Sequence, residues 1–406
     1  MSMAMEAQEF VTLLPRLQMA VAPRRRTSNT EASGYYRMVR NVILHIGMHK
    51  TGTTSLQNSL QDYDDGDIFY APLGDPNHSE ALFTAFSSDP SDYHIWRDRG
   101  YSPAQIEEQR TLYLSKLNTA LLRANRSTVV FSGEDAGVLD AEGKKQLIDY
   151  LQSNGRSVRV ICYVRDPRSF AASFFQQALK GGLAEVPKIN PNYRLRLETL
   201  KHLLPESQLT VRRFDRESLI GGNIISDFAA LTGLQTELLV DLKDNSSLPF
   251  SAMKMLFIFN RGAMLSSGDD TLYRARIMFI GALRTAFADQ SGPPLSLFDD
   301  CAIYAGCAYL AKHFGIAFED EAASRGESGD VESAEQKLLD IEDWEVEVLN
   351  QALGELGLTG DFPTVGDKLN RLFLHYVYRS HESLAPRETA DTGLDEEPDT
   401  SALSGE

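Results

Sequence analysis

Between Val42 and Gly233 the chain alternates short apolar runs with amphipathic stretches, and that alternation restricts the fold more than any other feature. The apolar runs are NVILHIG, DIFYAP, STVVFSGED, SVRVICYVRD and QLTVRRFD. They are strand-length, and as a set too apolar for a sheet with one face in water. Between them lie TSLQNSLQDY, QIEEQRTLYLSKLNTALLRA, GKKQLIDYLQSNG, a helical pattern from Ser169 to about Lys180, and SDFAALTGL, which Gly233 closes. In the long second stretch Leu112, Leu114, Leu117, Leu121 and Leu122 recur at roughly helical spacing. Strands separated by helices predict an α/β fold with a central parallel sheet covered on both faces, in three α/β/α layers. Beyond Pro249 the strand signal ends. SAMKMLFIFNRGAML, TLYRARIMFIGALRTAF, CAIYAGCAYLAKHF, WEVEVLNQALGEL and KLNRLFLHYVYRS all carry helical periodicity and predict a C-terminal helical region.

Charge marks the boundaries. Residues 319–347 hold twelve Asp and Glu against Arg325 and Lys337, and residues 386–406 hold seven against Arg387. These two segments carry −16 of the net −17, so the rest of the chain is close to neutral and its loops can attract an anion. No broad basic face for nucleic acid or a highly sulfated polysaccharide is expected. The predicted organisation is a flexible leader at 1–38, an α/β domain at 39–250, and a helical extension packed on it at 251–380. An acidic loop near 319–340 interrupts the extension, and a disordered acidic tail follows at 381–406. Met1 and Met38 are both candidate starts. No apolar run reaches the ~18–20 residues of a membrane span, and FVTLLPRLQMAVAP lacks the order of a signal peptide, so a cytoplasmic protein is expected. Cys162, Cys301 and Cys307 have neither metal-ligand spacing nor a disulfide framework.

The first apolar run leads into HIGMHKTGTTSLQ. Gly47 and Gly52 are spaced as in a Walker A loop, but Thr53 stands where that loop has its lysine, and Lys50 comes two residues before Gly52. A strand ending in a glycine loop that opens a helix presents backbone N–H groups to an anion. Lys50, on the flank, is placed near a terminal, transferable group. The loop resembles the 5′-phosphosulfate loop of sulfotransferases that use 3′-phosphoadenosine 5′-phosphosulfate (PAPS), especially the bacterial members. The resemblance covers roughly residues 40–260 and implies a P-loop-type α/β fold. It implies Lys50, Thr51, Gly52, Thr53, Thr54 and Ser55 as cofactor-binding residues, Lys50 also acting in catalysis, and no required metal. His45 and His49 are read as packing or loop residues.

The same resemblance implies a second anion site for the 3′-phosphate. VICYVRDPRSFAASFF supplies Arg165 at a strand end and Ser173 eight residues on, inside the next helix. An arginine fork can bind phosphate oxygens in pairs. Arg168 either assists there or pairs with a surface carboxylate. In QLTVRRFD, Phe214 matches by position the aromatic that relatives present to adenine, with a core role as the alternative. Ser55 stands where many cytosolic relatives place a tryptophan. NSSLPFSAMKML at 245–256 resembles a stretch that follows the sheet in bacterial members.

For the base that accepts a proton from the nucleophile there are two candidates. Glu134 follows the STVVFSGED run, where relatives place a catalytic acid or histidine; the alternative is that Glu134 or Asp135 only caps the next turn. His78, in DPNHSEALF, is the second, read as a residue of an exposed loop. The expected activity is sulfuryl transfer to a hydroxyl or amine on a small molecule, lipid, peptide or carbohydrate. The competing readings are a P-loop kinase or NTPase and a non-catalytic nucleotide-binding member of the fold. A lid, an acceptor wall or a homodimer contact are the roles open to the helical region.

Overall fold

The computed structural model describes residues 38–240, 247–262, 270–298, 301–318 and 331–382. Apart from Met38, the expected leader lies outside the described residues, as do the 319–330 part of the acidic loop and all of the acidic tail beyond 382.

Five strands form one parallel sheet: β1 (Asn41–His45), β2 (Ile68–Tyr70), β3 (Thr128–Ser132), β4 (Ser157–Val164) and β5 (Leu209–Arg213), in the order β2-β3-β1-β4-β5. These are the five apolar runs of the sequence. β1 lies between β3 and β4, with Leu44 beside Phe131 on one side and Val160 on the other. The two-residue period of a strand sends alternate side chains to opposite faces. Val42, Leu44, Val129, Phe131, Val158, Val160 and Cys162 enter one apolar cluster, while Ile43, Val130, Ile161 and Tyr163 enter another. Both faces are therefore apolar, and both must be covered.

Helices α1 (Thr53–Leu60) and α8 (Ile224–Thr232) cover the second face through Leu56, Leu60, Ile224, Ile225 and Phe228. The other face receives side chains from α2 (Ser79–Phe86), α4 (Pro103–Leu121), α5 (Ala141–Gln152), α6 (Pro167–Lys180) and α7 (Tyr193–Leu203). A short α3 (His94–Arg99) lies between α2 and α4. The buried face of α4 is Ile106, Leu117, Ala120 and Leu121, whereas Leu112 and Leu122 are exposed, so the leucine spacing placed the stripe only in part. Neither α2 nor α7 was among the expected elements. Yet Tyr193, Leu197, Leu200 and Leu204 are spaced as one helical face, and all are buried.

The C-terminal helices are α9 (Phe250–Gly262), α10 (Asp270–Ala286), α11 (Cys307–Phe314), α12 (Val331–Leu339), α13 (Asp343–Glu355) and α14 (Val365–Glu382). CAIYAGCAYLAKHF is not one helix. A 3-10 turn at Cys301–Tyr304 is separated from α11 by Gly306, which adopts φ +91° and presses close to Tyr193. Likewise 331–339, expected within the acidic loop, is helical. α9 joins this region to the sheet. Its Met253, Met255, Leu256, Phe257 and Phe259 belong to the same apolar cluster as the strands, and Phe257 meets Phe175 of α6 at 6.4 Å between ring centroids. Among the described residues, no helix is long and apolar enough to cross a membrane.

One buried ion pair ties α9 to α13. Lys254 Nζ donates to Glu345 Oε2 at 2.6 Å, with the two side chains 6% and 1% exposed. Glu345 Oε2 also accepts from the Glu342 backbone N–H, closing the N-terminus of α13. K254M would leave a buried carboxylate unpaired and is expected to cost about 3–5 kcal/mol in urea unfolding. The double variant K254M/E345L should recover most of that loss. A K254M chain as stable as wild type would show that the pair does not hold the bundle.

Candidate functional site

The loop after β1 begins as an extension of the strand. Ile46 and Met48 donate their N–H groups to the carbonyls of Ile161 and Tyr163 on β4, at 3.0 and 3.2 Å. The chain then turns sharply through two left-handed residues, Lys50 at φ +67° and Gly52 at φ +72°. A left-handed lysine is strained by about 1–2 kcal/mol. The loop is held by its own threonines, since Thr51 Oγ1 and Thr53 Oγ1 both donate to the Met48 carbonyl, at 2.6 and 3.2 Å. Gly52 then opens α1. A Cβ there would meet Ile224 Cγ2 at 3.2 Å and Phe214 Cε2 at 3.4 Å, so the glycine serves both conformation and packing.

α5, α6 and α8 close their N-termini with the side chains of Asp140, Asp166 and Asn223. α1 has neither a side-chain cap nor an acidic residue in its first turn. Its leading N–H groups have no intrahelical acceptor, and the end of the helix carries partial positive charge. Gly52, Thr53, Thr54 and Ser55 line a cleft of about 1810 Å³. Thr51 does not. Its side chain is fully buried and its hydroxyl is committed to the loop, which corrects the expectation that it contacts a cofactor.

Arg165 lines the same cleft from the end of β4. Its Nη1 donates to the Lys50 carbonyl at 2.6 Å, so the second expected anion segment is bonded directly to the first. On its other side the Arg165 carbonyl accepts from the Tyr193 hydroxyl at 2.6 Å. Burial pulls the Arg165 guanidinium below its ordinary pKa, with Asp166 opposing. The Phe214 ring lies 5.9 Å from that guanidinium and also lines the cleft, while packing against the cluster beneath α8. Both roles weighed for Phe214 are therefore open to it. α6 turns one face to the cleft, with Ser169, Ala172, Ser173, Gln176, Gln177 and Lys180 at helical spacing. Lys50 Nζ reaches across to Gln177 Oε1 at 3.1 Å. Arg168 also lines the cleft.

Glu134 enters from the 3-10 turn after β3 and also lines the cleft, its side chain 14% exposed. Burial raises its carboxyl above the usual range and Asp135 adds to this, against His49, Arg196 and the Thr53 hydroxyl. Among the described residues, Oε2 has no hydrogen-bond partner.

His78 is not an exposed loop residue. It caps the start of α2, is 1% exposed, stacks on Tyr70 at 4.4 Å and accepts the Ser132 N–H at Nδ1. Burial pushes its pKa down to about 3, and it is not part of the cleft wall. The cause is Gly133. A Cβ there would strike the backbone of His78 and Ser79 at 2.8–2.9 Å, so its absence lets α2 press onto the end of β3 and enclose the ring. That corrects the expectation that His78 could serve as the base. His45 is buried as expected, bonded to Ser132 Oγ at 2.8 Å.

His49, read from the sequence as a packing or loop residue, lines the cleft beside Lys50. Its Nε2 lies 3.1 Å from Asp135 Oδ1 and 3.8 Å from Glu134 Oε1. Tyr93 donates to Asp135 Oδ2 at 2.7 Å, and Arg196 of α7 reaches His49 Nδ1 at 3.3 Å. Adjacency to Lys50 was the only signal for His49; the others come from elements far apart in sequence.

Compared with models of known protein families the chain matches none, and the comparison with curated proteins also gives no match. What the cleft can do is therefore read from its chemistry. An uncapped helix end and cationic side chains that include Lys50 and Arg165 suit an anion with oxygens at two positions, and a largely enclosed carboxylate nearby suits proton transfer.

Folded chain holds the Glu134 proton more tightly than the unfolded chain. Its contribution to stability is then complete at acidic pH and is lost as pH rises through the folded value. E134Q carries no charge at any pH, so it is expected to melt above wild type at about pH 8 and close to it near pH 4. Equal melting curves at both would show that burial of this carboxylate carries no cost.

Proposed function

We propose that the chain is a sulfotransferase that moves the sulfuryl group of PAPS to a hydroxyl or amine of a small-molecule, lipid, peptide or carbohydrate acceptor in the cytoplasm. The observation that carries this reading is the bond from Arg165 to the Lys50 carbonyl, which places the KTGTT loop and the arginine–serine helix on one cleft. Two segments facing apart could not grip one doubly phosphorylated adenosine. The volume of about 1810 Å³ exceeds the about 300–1,000 Å³ common for one small ligand, leaving room for an acceptor beside the donor.

The donor supplies an activated sulfuryl group on a 5′-phosphate leaving group. In this reading the first N–H groups of α1 and the Thr54 and Ser55 hydroxyls hold the 5′-phosphate. Arg165 and Ser173 hold the 3′-phosphate, and Phe214 offers a ring face to the base. Lys50 neutralises charge on the bridging oxygen as the S–O bond breaks and the acceptor's bond to sulfur forms in line. Glu134 takes the proton the acceptor loses. Its raised pKa makes it a better acceptor than an ordinary surface carboxylate. No metal is needed in this scheme, because a sulfuryl group carries less charge than a γ-phosphoryl group.

Calorimetric titration with adenosine 3′,5′-bisphosphate is expected to give saturable binding that ATP with Mg²⁺ does not displace. Removing the Arg165 fork by R165M should weaken that binding about tenfold to a hundredfold, the worth of a charged hydrogen bond. K50M should weaken bisphosphate binding as well as lower sulfuryl transfer about 10²–10³-fold, because the bridging oxygen that Lys50 neutralises stays on the bisphosphate as it leaves. Tight ATP–Mg²⁺ binding with no affinity for the bisphosphate would instead favour a kinase or NTPase. Bisphosphate binding without transfer to any acceptor would favour a binding module.

A further inference from the structure

Arg196 is the anomaly of the site. It projects from α7 into the interior, 6% exposed, and among the described residues no carboxylate forms an ion pair with it. Burial pulls its pKa below the ordinary value. A buried cation without a contacting anion is costly, so the contacts it does make require an explanation. Nη2 meets His49 Nδ1 at 3.3 Å, and Nη1 approaches the Glu134 carbonyl at 3.5 Å.

We propose that Arg196 is a positioning residue: it fixes His49 as the Nε2–H tautomer, and His49 with Asp135 then holds Glu134 as the group that accepts the proton. The inference rests on the sulfotransferase reading only for the proton's origin. Its geometry stands independently.

A guanidinium has donors and no acceptor, so His49 Nδ1 must be the acceptor in that contact and carries no proton. The proton is on Nε2, which faces Asp135 Oδ1 at 3.1 Å and leans towards Glu134 Oε1 at 3.8 Å. Asp135 receives a second donor, the Tyr93 hydroxyl, on Oδ2. Burial works to raise the Asp135 carboxyl, but the His49 and Tyr93 hydrogen bonds outweigh it and hold it low. Both nitrogens of His49 and both oxygens of Asp135 are thus engaged. Glu134 Oε2 has no such partner among the described residues. Other charged or titratable groups around the cluster include Lys50, next in the chain to His49, Lys144 of α5, which donates to the Leu195 carbonyl at 2.7 Å, Cys162 of β4 near Arg196, and Glu80 and His94 beside Tyr93.

The tautomer is directly observable. Long-range ¹H–¹⁵N NMR of the nucleotide-free chain, with the His49 signals assigned through H49Q, is expected to show a protonated Nε2 and a bare Nδ1 at neutral pH. R196M should abolish that signature. A protonated Nδ1 in the wild-type chain overturns the proposal, whether or not R196M folds. The catalytic arm uses PAPS with hexanol as the probe acceptor. Glutamine at position 49 can still donate an N–H to Asp135 but cannot take a proton, so H49Q should keep kcat within about tenfold of wild type, above H49A, while E134Q loses about 10²–10⁴-fold. A loss in H49Q as large as that in E134Q makes His49 the base and overturns the proposal. Absence of all sulfuryl transfer in the wild-type chain counts against the enzyme reading alone, and the NMR result still decides this one.

Discussion

The bond from Arg165 to the carbonyl of Lys50 is the contact on which the site depends. It spans the gap between the ends of neighbouring strands β1 and β4, and it satisfies the carbonyl of a lysine held in a left-handed conformation. Without it the loop would keep the strain of that lysine and lose the partner that offsets it. The same guanidinium lies against Phe214, and its own carbonyl is held by Tyr193. One side chain thus fixes the loop, the start of α6 and the aromatic wall in a single frame.

The frame exists because β1 is buried on both sides and on both faces. Its neighbours β3 and β4 diverge in the connections that follow them, one towards Glu134 and the other towards Arg165. The carboxyl ends of a parallel sheet leave a crevice where successive connections take opposite directions. Here the crevice receives a helix N-terminus from one side and cationic side chains from the other. The chain's net charge of −17 therefore does not prevent an anion site, because its excess acids are concentrated at 319–347 and 386–406.

The strands were legible because burial on two faces leaves a run such as VRVICYV with almost no polar residue to confuse its period. The turn at KTGTT was legible because a glycine after a strand permits the left-handed conformation that opens the next helix. Less of the site's second half could be read. His78 lies in a segment rich in Asp, Pro and Asn that looks exposed, yet the bare Gly133 lets the backbone approach and Tyr70 and Phe131 pack on the ring. Thr51 and Thr53 are alike in sequence, yet the turn at Lys50 leaves Thr53 on the cleft wall and Thr51 inside. Arg196 stands among Arg194, Glu198 and Lys201 and reads as part of a solvated helix face, although Leu197 and Leu200 beside it mark the buried side. The contacts that join His49, Asp135, Tyr93 and Arg196 are tertiary, and no local pattern encodes them.

The packing of Phe257 of α9 against Phe175 of α6 has a mechanical meaning. Much of the cleft wall rides on α6, and α6 is backed by a helix whose far side belongs to the C-terminal bundle. A rod braced in this way moves as a unit. Any displacement of the bundle would reach the cleft through α6, with Ser173 and Gln177 carried along together and the pull passed to Lys50 through its bond to Gln177.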